Sequence, residues 1–221
     1  MKKVTFYYVR HGATLFNRIG KMQGWCDSPL TEKGIGNASE AKQVLKAIPI
    51  DRIYTSTSER CVDTALIINE GRDLPVFFEK GLKEVNFGLY EGATIANHQE
   101  DIDHRRFLTY DWSDVEGESP QMLRERVRKT YGKIYNESMD GDTVLIVSHG
   151  AVFFHMLKHL FGLNERIYMD LIKDGPEEYL PIPNGLAAVF SMSEEENELL
   201  ELCKRDPQIL EELKRRSKDN V

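Results

Sequence analysis

The chain has 221 residues, 41% of them hydrophobic, enough for one α/β domain or a domain carrying a small cap. Its 29 basic and 36 acidic residues give a formal net charge of −7, which argues against nucleic acid or an anionic membrane as partner. Three cysteines, Cys26, Cys61 and Cys203, make neither an even disulfide framework nor a CxxC pair and fit a reducing, cytoplasmic setting.

The apolar run Val4–Val9, rich in β-branched and aromatic residues, predicts a first strand. Coming after Lys2 and Lys3, it is too short for a signal peptide or a membrane span. A loop through Arg18–Leu30 follows. Thr31 caps a helix to about Ala47 that turns Ile35, Ala38, Leu45 and Ile48 to one face. Ile53–Thr55 is a short strand, and Ser58 then caps a helix with Arg60 in its first turn and Ala65, Leu66 and Ile68 further on. Val76–Phe78 is a third short strand. Residues 82–118 have weak periodicity and hold Gly88, Gly92, His98 and His104, which predicts loop and a short helix over a site, with about 93–118 as a cap insertion.

Ser119-Pro120 starts a helix with Leu123, Val127, Tyr131 and Ile134 on one face. Thr143–Val147 reads as a buried strand and Ala151–Phe161 as a helix with Phe154, Leu157 and Phe161 inward. Leu186–Met192 is another strand. Glu198–Cys203 fits a hairpin strand or a helix, and the strand is preferred because Asp206-Pro207 restarts a helix. The tail from Lys214 to Val221 is expected to fray. This alternation predicts a three-layer α/β/α sandwich with a mostly parallel central sheet, residues 1–221 forming one domain that closes with a helix and tail at about 206–221.

Two of the strands end alike, in Arg10-His11-Gly12 and in Ser148-His149-Gly150. Glycine after histidine lets the chain turn sharply and leaves the imidazole at the carboxyl end of the strand, where open α/β sheets bind ligands. A parallel sheet would bring both histidines to one edge, and the adjacent arginine suggests an anionic ligand. Arg60, in a helix first turn, opposes the helix dipole, a placement that makes sense if it faces an anion.

The run Tyr8-Val9-Arg10-His11-Gly12-Ala13-Thr14-Leu15-Phe16-Asn17 resembles the signature of the histidine phosphatase superfamily, also called phosphoglycerate-mutase-like. The resemblance continues, in the family's order, through Gln23-Gly24-Trp25, Asp27 to Thr31, Thr55-Ser56 with Arg60 and Thr64-Ala65, Glu84 to Gly92, Gly117-Glu118-Ser119 and Ser148-His149-Gly150. It implies a phosphomonoesterase acting on a small phosphorylated metabolite. His11 would attack phosphorus and form a phosphohistidine. Arg10, Arg60 and His149 would hold the phosphoryl oxygens, with Asn17, Gln23, Gly24 and the amides near Gly12 adding contacts. Glu84 would protonate the leaving alkoxide and then deprotonate the attacking water. No cofactor and no metal are expected, and a homodimer is left open.

Two alternatives stand beside this reading: a mutase passing the phosphoryl group to another hydroxyl, and a non-catalytic phospholigand binder. Ala13-Thr14 and the absence of a proline-rich insert after the Glu84 segment resemble the phosphatases. Arg105-Arg106 lies where mutases keep arginines for a substrate carboxylate, but a solvated pair flanking Phe107 is preferred. His155 and His159, four residues apart, have zinc-like spacing without a third ligand and are read as structural. His98 and His104 are read as loop-surface residues, and Phe6, Tyr7, Phe153 and Phe154 as core. Substrate choice is assigned to loop 93–118 and to Gln23, Tyr90 and Trp112.

Overall fold

The computed structural model describes residues 1–172 and 182–218. Strands β1 (Lys3–Arg10), β2 (Arg52–Ser56), β3 (Val76–Glu79), β4 (Thr143–Ser148), β5 (Gly185–Ser193) and β6 (Asn197–Leu202) form a six-stranded sheet of order β3-β2-β4-β1-β5-β6. The first four run parallel, and β5 and β6 are antiparallel. The preferred strand at 198–203 is thus present. The register pairs Arg10 of β1 with Ser148 of β4, so the next residues, His11 and His149, leave the sheet side by side at its carboxyl edge.

Pleat alternation divides the core. Val4, Phe6, Tyr8, Val144 and Ile146 face one layer, while Val9, Leu145 and Val147 face the other. The second layer is covered by α2 (Glu32–Val44) and α3 (Glu59–Asn69). The first is covered by α5 (Pro120–Glu137), α6 (Gly150–His159), α7 (Glu165–Ile172) and α8 (Pro207–Lys218). The short helix α1 (Leu15–Arg18) precedes the loop expected over Arg18–Leu30, and α4 (Gln99–His104) is a short helix in the segment 82–118, where loop and a short helix were expected. The sequence reading contained neither α1 nor α7.

Several expectations are corrected. Ile35 is exposed, because the inward face of α2 is Gly34, Ala38 and Ala41, small residues that let the helix approach the sheet. Ser58 makes no side-chain cap; its hydroxyl pairs with Ser56 Oγ, and the Glu59 amide donates instead to Asp27 Oδ2 at 2.6 Å. Helix α6 ends at His159, leaving Phe161 half-buried beyond it with its ring 5.3 Å from that of Phe190. Of the tail expected to fray, residues 214–218 continue α8, with Leu213 and Ser217 buried; residues 219–221 lie outside the described part.

The segment that follows β3 continues past Gly88 and Gly92 into the 3₁₀ turn Ile95–His98, α4 and a π-turn Arg105–Thr109, which ends at Tyr110 in the left-handed region (φ 58°). Trp112 is buried against Phe87 and Tyr90, anchoring this segment to the body.

Helix α2 also supplies a direct test of packing. A Cβ on Gly34 would lie 2.1 Å from the Ala13 carbonyl oxygen, whereas one on Gly36 meets nothing within 4 Å. Gly34→Ala is expected to lose about 1–3 kcal/mol from backbone clash, while Gly36→Ala gains up to about 1 kcal/mol of helix propensity. Thermal melts should therefore move in opposite directions for two glycines of one helix.

Candidate active site

His11 follows β1 and is buried at 3% exposure. Its Nδ1 lies 2.8 Å from the Gly12 carbonyl oxygen, which can only accept, so Nδ1 carries the proton and Nε2 keeps a free lone pair. Burial, with the Arg60 and Arg10 charges, holds its pKa well below the ordinary value of 6.5, so the ring is neutral at physiological pH. Asn184 donates to the His11 carbonyl, and the His11 amide donates to that of Ser148, fixing the turn between the two strand ends. A Cβ on Gly12 would lie 2.2 Å from the Gly34 carbonyl oxygen, so only glycine fits here.

The His149 ring centroid is 5.3 Å from that of His11. Arg60 Nη2 donates to His149 Nδ1 at 2.9 Å, which leaves the His149 proton on Nε2, 2.8 Å from Ser56 Oγ. Both nitrogens are thus engaged, and His149 holds Arg60 instead of offering a free donor. Arg60 is fully buried; Nη1 donates to the Cys26 carbonyl and to Asp27 Oδ1 (2.8 Å), and Nη2 to the Gly24 carbonyl. Arg10 Nη1 donates to the Ile182 carbonyl, and its guanidinium lies against Gly150, where a Cβ would come within 3.1 Å of Cζ. The Nε–H groups of Arg10 and Arg60 are buried without an acceptor.

Glu84, 6% exposed, is held by three amides: Oε1 accepts from Val85 and Val152, and Oε2 from Ala151. Two of these belong to the first turn of α6, where the helix dipole favours a carboxylate. Arg126 of α5 grips Glu118 with two bonds (2.6 and 2.7 Å) and donates to the carbonyls of Gly81, Lys83 and Glu84. Glu91 accepts from the amides of Gly24, Trp25, Cys26 and Phe87. The sequence reading quoted Glu91, Asp27 and Glu118 as motif letters but gave them no work. An acid inside a glycine-punctuated loop was the available signal for such amide clamps.

Arg10, His11 and Glu84 line one cavity of about 1080 Å³ together with Asn17 and Gln23. Asn17 caps α1 through Oδ1, accepting from the Thr14 amide. The Gln23 side chain is spent on Thr14, Asp27 and Ser28. Gly24 does not line the cavity; its carbonyl supports Arg60 and its amide pairs with Glu91. The amides of Gly12 and Ala13 donate to Thr64 Oγ1 and Asn37 Oδ1, so the expected extra donors are already committed.

Arg105 and Arg106 are not a solvated pair, because both line the cavity. Arg105 is paired with Asp101 and Asp114, whereas among the described residues Arg106 Nη2 meets only Met22 Sδ, a weak acceptor. Trp112 lines the cavity as well. So does His155, and its ring lies parallel to that of His159 at 6.4 Å. No group of three or more His, Cys, Asp or Glu side chains is arranged for a metal ion among the described residues, nor is any of their helices long and apolar enough to cross a membrane.

Residues 6–174 match the profile of the histidine phosphatase superfamily (branch 1). The chain belongs to that superfamily. Among its relatives, the adenosylcobalamin/α-ribazole phosphatase of Salmonella typhimurium is 34% identical over 165 residues, covering 71% of this chain and 79% of the relative. A probable phosphoglycerate mutase GpmB of Cronobacter sakazakii is 36% identical over 164 residues, covering 71% and 74%. Phosphoserine phosphatase of Entamoeba histolytica, solved in complex with 3-phosphoglyceric acid, superposes with a TM-score of 0.72 at 25% identity, covering 94% of this chain and 99% of that one. Bacillus stearothermophilus YhfR does so at 0.73 and 28%, covering 93% and 99%.

Two predictions follow from the buried polar groups. In Glu118→Gln, the Arg126 guanidinium keeps its place but loses its charge partner, at a cost of about 3–5 kcal/mol. Urea denaturation measures that loss, and kcat should fall because the Glu84 loop loosens. For pH, His11, His149 and His155 all have folded-state pKa values below 6.5, so below that pH the unfolded chain binds protons that the folded chain refuses. Their stabilisation is complete above pH 6.5 and drains away as pH falls. The loss between pH 6.5 and 5.5 is roughly 1 kcal/mol for each ring, visible as a lower urea midpoint.

Proposed function

We propose that the chain is a phosphomonoesterase that passes the phosphoryl group of a small phosphorylated metabolite to water through His11. The neutral His11 ring carries this reading: its proton is parked on the Gly12 carbonyl and its Nε2 lone pair is free, beside two guanidinium groups with unused Nε–H donors. Nε2 attacks phosphorus while the ester oxygen leaves, taking a proton from Glu84. Water then attacks the phosphohistidine, Glu84 accepts its proton, and phosphate departs with His11 restored. Arg10 and Arg60 bear the charge on the phosphoryl oxygens. Asp27 fixes Arg60 on one side and His149 fixes it on the other.

Arg106 favours one second reading. An unpaired guanidinium on the cavity wall can hold a substrate carboxylate, as a mutase acting on phosphoglycerate would require. Primer-dependent interconversion of 2- and 3-phosphoglycerate, faster than phosphate release, would establish that reading.

Reactions with ³²P-labelled substrate quenched in alkaline detergent should trap an acid-labile, base-stable phosphoenzyme that His11→Ala lacks. Glu84→Gln should still be labelled, yet turn over about 10²- to 10⁴-fold more slowly. Absence of label and of turnover on every phosphomonoester overturns the proposal.

A further inference from the structure

Helix α6 carries the cavity beyond the reacting groups. Gly150, Ala151, Phe154 and His155 all line it, one face of the helix at i, i+1, i+4 and i+5. The Ala151 amide holds Glu84, so His155, four residues on, stands about 6 Å further along the axis. Its residue exposure is 8%, it lines the cavity, and its ring nitrogens make no hydrogen bond to another of the described residues. The surroundings are rings and apolar side chains: Tyr110 meets it edge-on at 5.0 Å, Phe154 packs at 5.5 Å, and Met169 lines the same wall.

From this placement, and resting on the hydrolase reading above, we infer that His155 is a specificity-determining residue that hydrogen-bonds an uncharged polar group at the far end of the leaving alcohol. Burial, with the His159 and Lys158 charges beside it, holds the His155 pKa down at about 3, so the ring offers one donor and one acceptor and no charge. The ring nitrogens are not among the buried side-chain atoms left without a partner, so they stay open to solvent, and a ligand that reaches them exchanges a hydrogen bond to water for one in a largely apolar surrounding. Arg10 lies against Gly150, at the amino-terminal end of the same helix face. The substrate is therefore oriented with its phosphate at the cationic end and a flat, uncharged, hydrogen-bonding group at the other.

The test compares kcat/KM for 4-carbamoylphenyl phosphate and phenyl phosphate, with the ratio followed across variants so that leaving-group acidity cancels. His155→Leu should lower the ratio about threefold to tenfold through KM of the amide ester, the loss of one hydrogen bond. His155→Gln, which keeps an uncharged donor and acceptor, should retain most of it. A ratio unchanged in His155→Leu, including one where both rates fall together, overturns the inference. Absence of turnover on either ester in the unaltered protein overturns the hydrolase reading, and the inference with it.

Discussion

The buried guanidinium of Arg60 is the constraint around which the site is built. Taking a cation to zero exposure is costly unless its donors are met. Here one carboxylate (Asp27), two carbonyls and the lone pair of His149 meet four N–H groups. That arrangement requires His149 to be neutral with its proton on Nε2, and Ser56 stands there to receive it. The same charge holds down the pKa of His11, one ring away. A neutral His11 ring beside permanent cations is thus one electrostatic solution, and the β1–β4 register that sets the two histidines side by side makes it available.

Loops around the carboxyl edge of the sheet lack ladder partners for their amides, and carboxylates take that place. Glu91 gathers four amides from two loops, Glu84 gathers three, and Asp27 and Glu118 each bridge an arginine to a backbone amide. Charge-assisted bonds of this kind are short and directional, so they fix loop geometry more tightly than apolar packing of the same small area could. Of these four acids only Glu84 lines the cavity; the other three hold the frame in which it sits.

The chemistry-bearing part of this arrangement was legible because it depends on local signals: strand, histidine, glycine, and an arginine at a helix start. Parallel order brings His11 and His149 to one edge of the sheet; that β4 lies next to β1, with Arg10 opposite Ser148, is seen only in the structure. What escaped depends on distance of approach and on which partner wins. Ile35 has a good helical phase for burial but yields to Gly34, because the inward face of α2 packs onto the Ala13 backbone. Ser58 is a strong capping residue, yet its hydroxyl and its amide both turn to Ser56 Oγ. Arg105 and Arg106 read as a surface pair, since nothing in the sequence announces the π-turn at 105–109 that precedes the left-handed Tyr110. The jobs of Gln23 and Gly24 were misjudged similarly: both lie beside the chemistry, but their polar atoms are spent on neighbours.

One helix links the reaction to the choice of substrate. His149 is the N-cap of α6, the Ala151 and Val152 amides seat Glu84, and His155 stands one turn on. A helix is a stiff ruler with a rise of about 1.5 Å per residue, so the separation between the Glu84 carboxylate and the His155 imidazole is set by backbone geometry and not by loop conformation. The opposite wall behaves differently. Arg105, Arg106 and Trp112 come from a segment of short 3₁₀ and π turns, held by Trp112 packing and the Arg105 ion pairs. Sequence change in that wall can alter what fits the cavity while the phosphoryl-handling groups stay in register, because those groups hang from β1, β4, α3 and α6. A substitution that shifts α6, by contrast, moves Glu84 and His155 together, because both are tied to the first two turns of that helix.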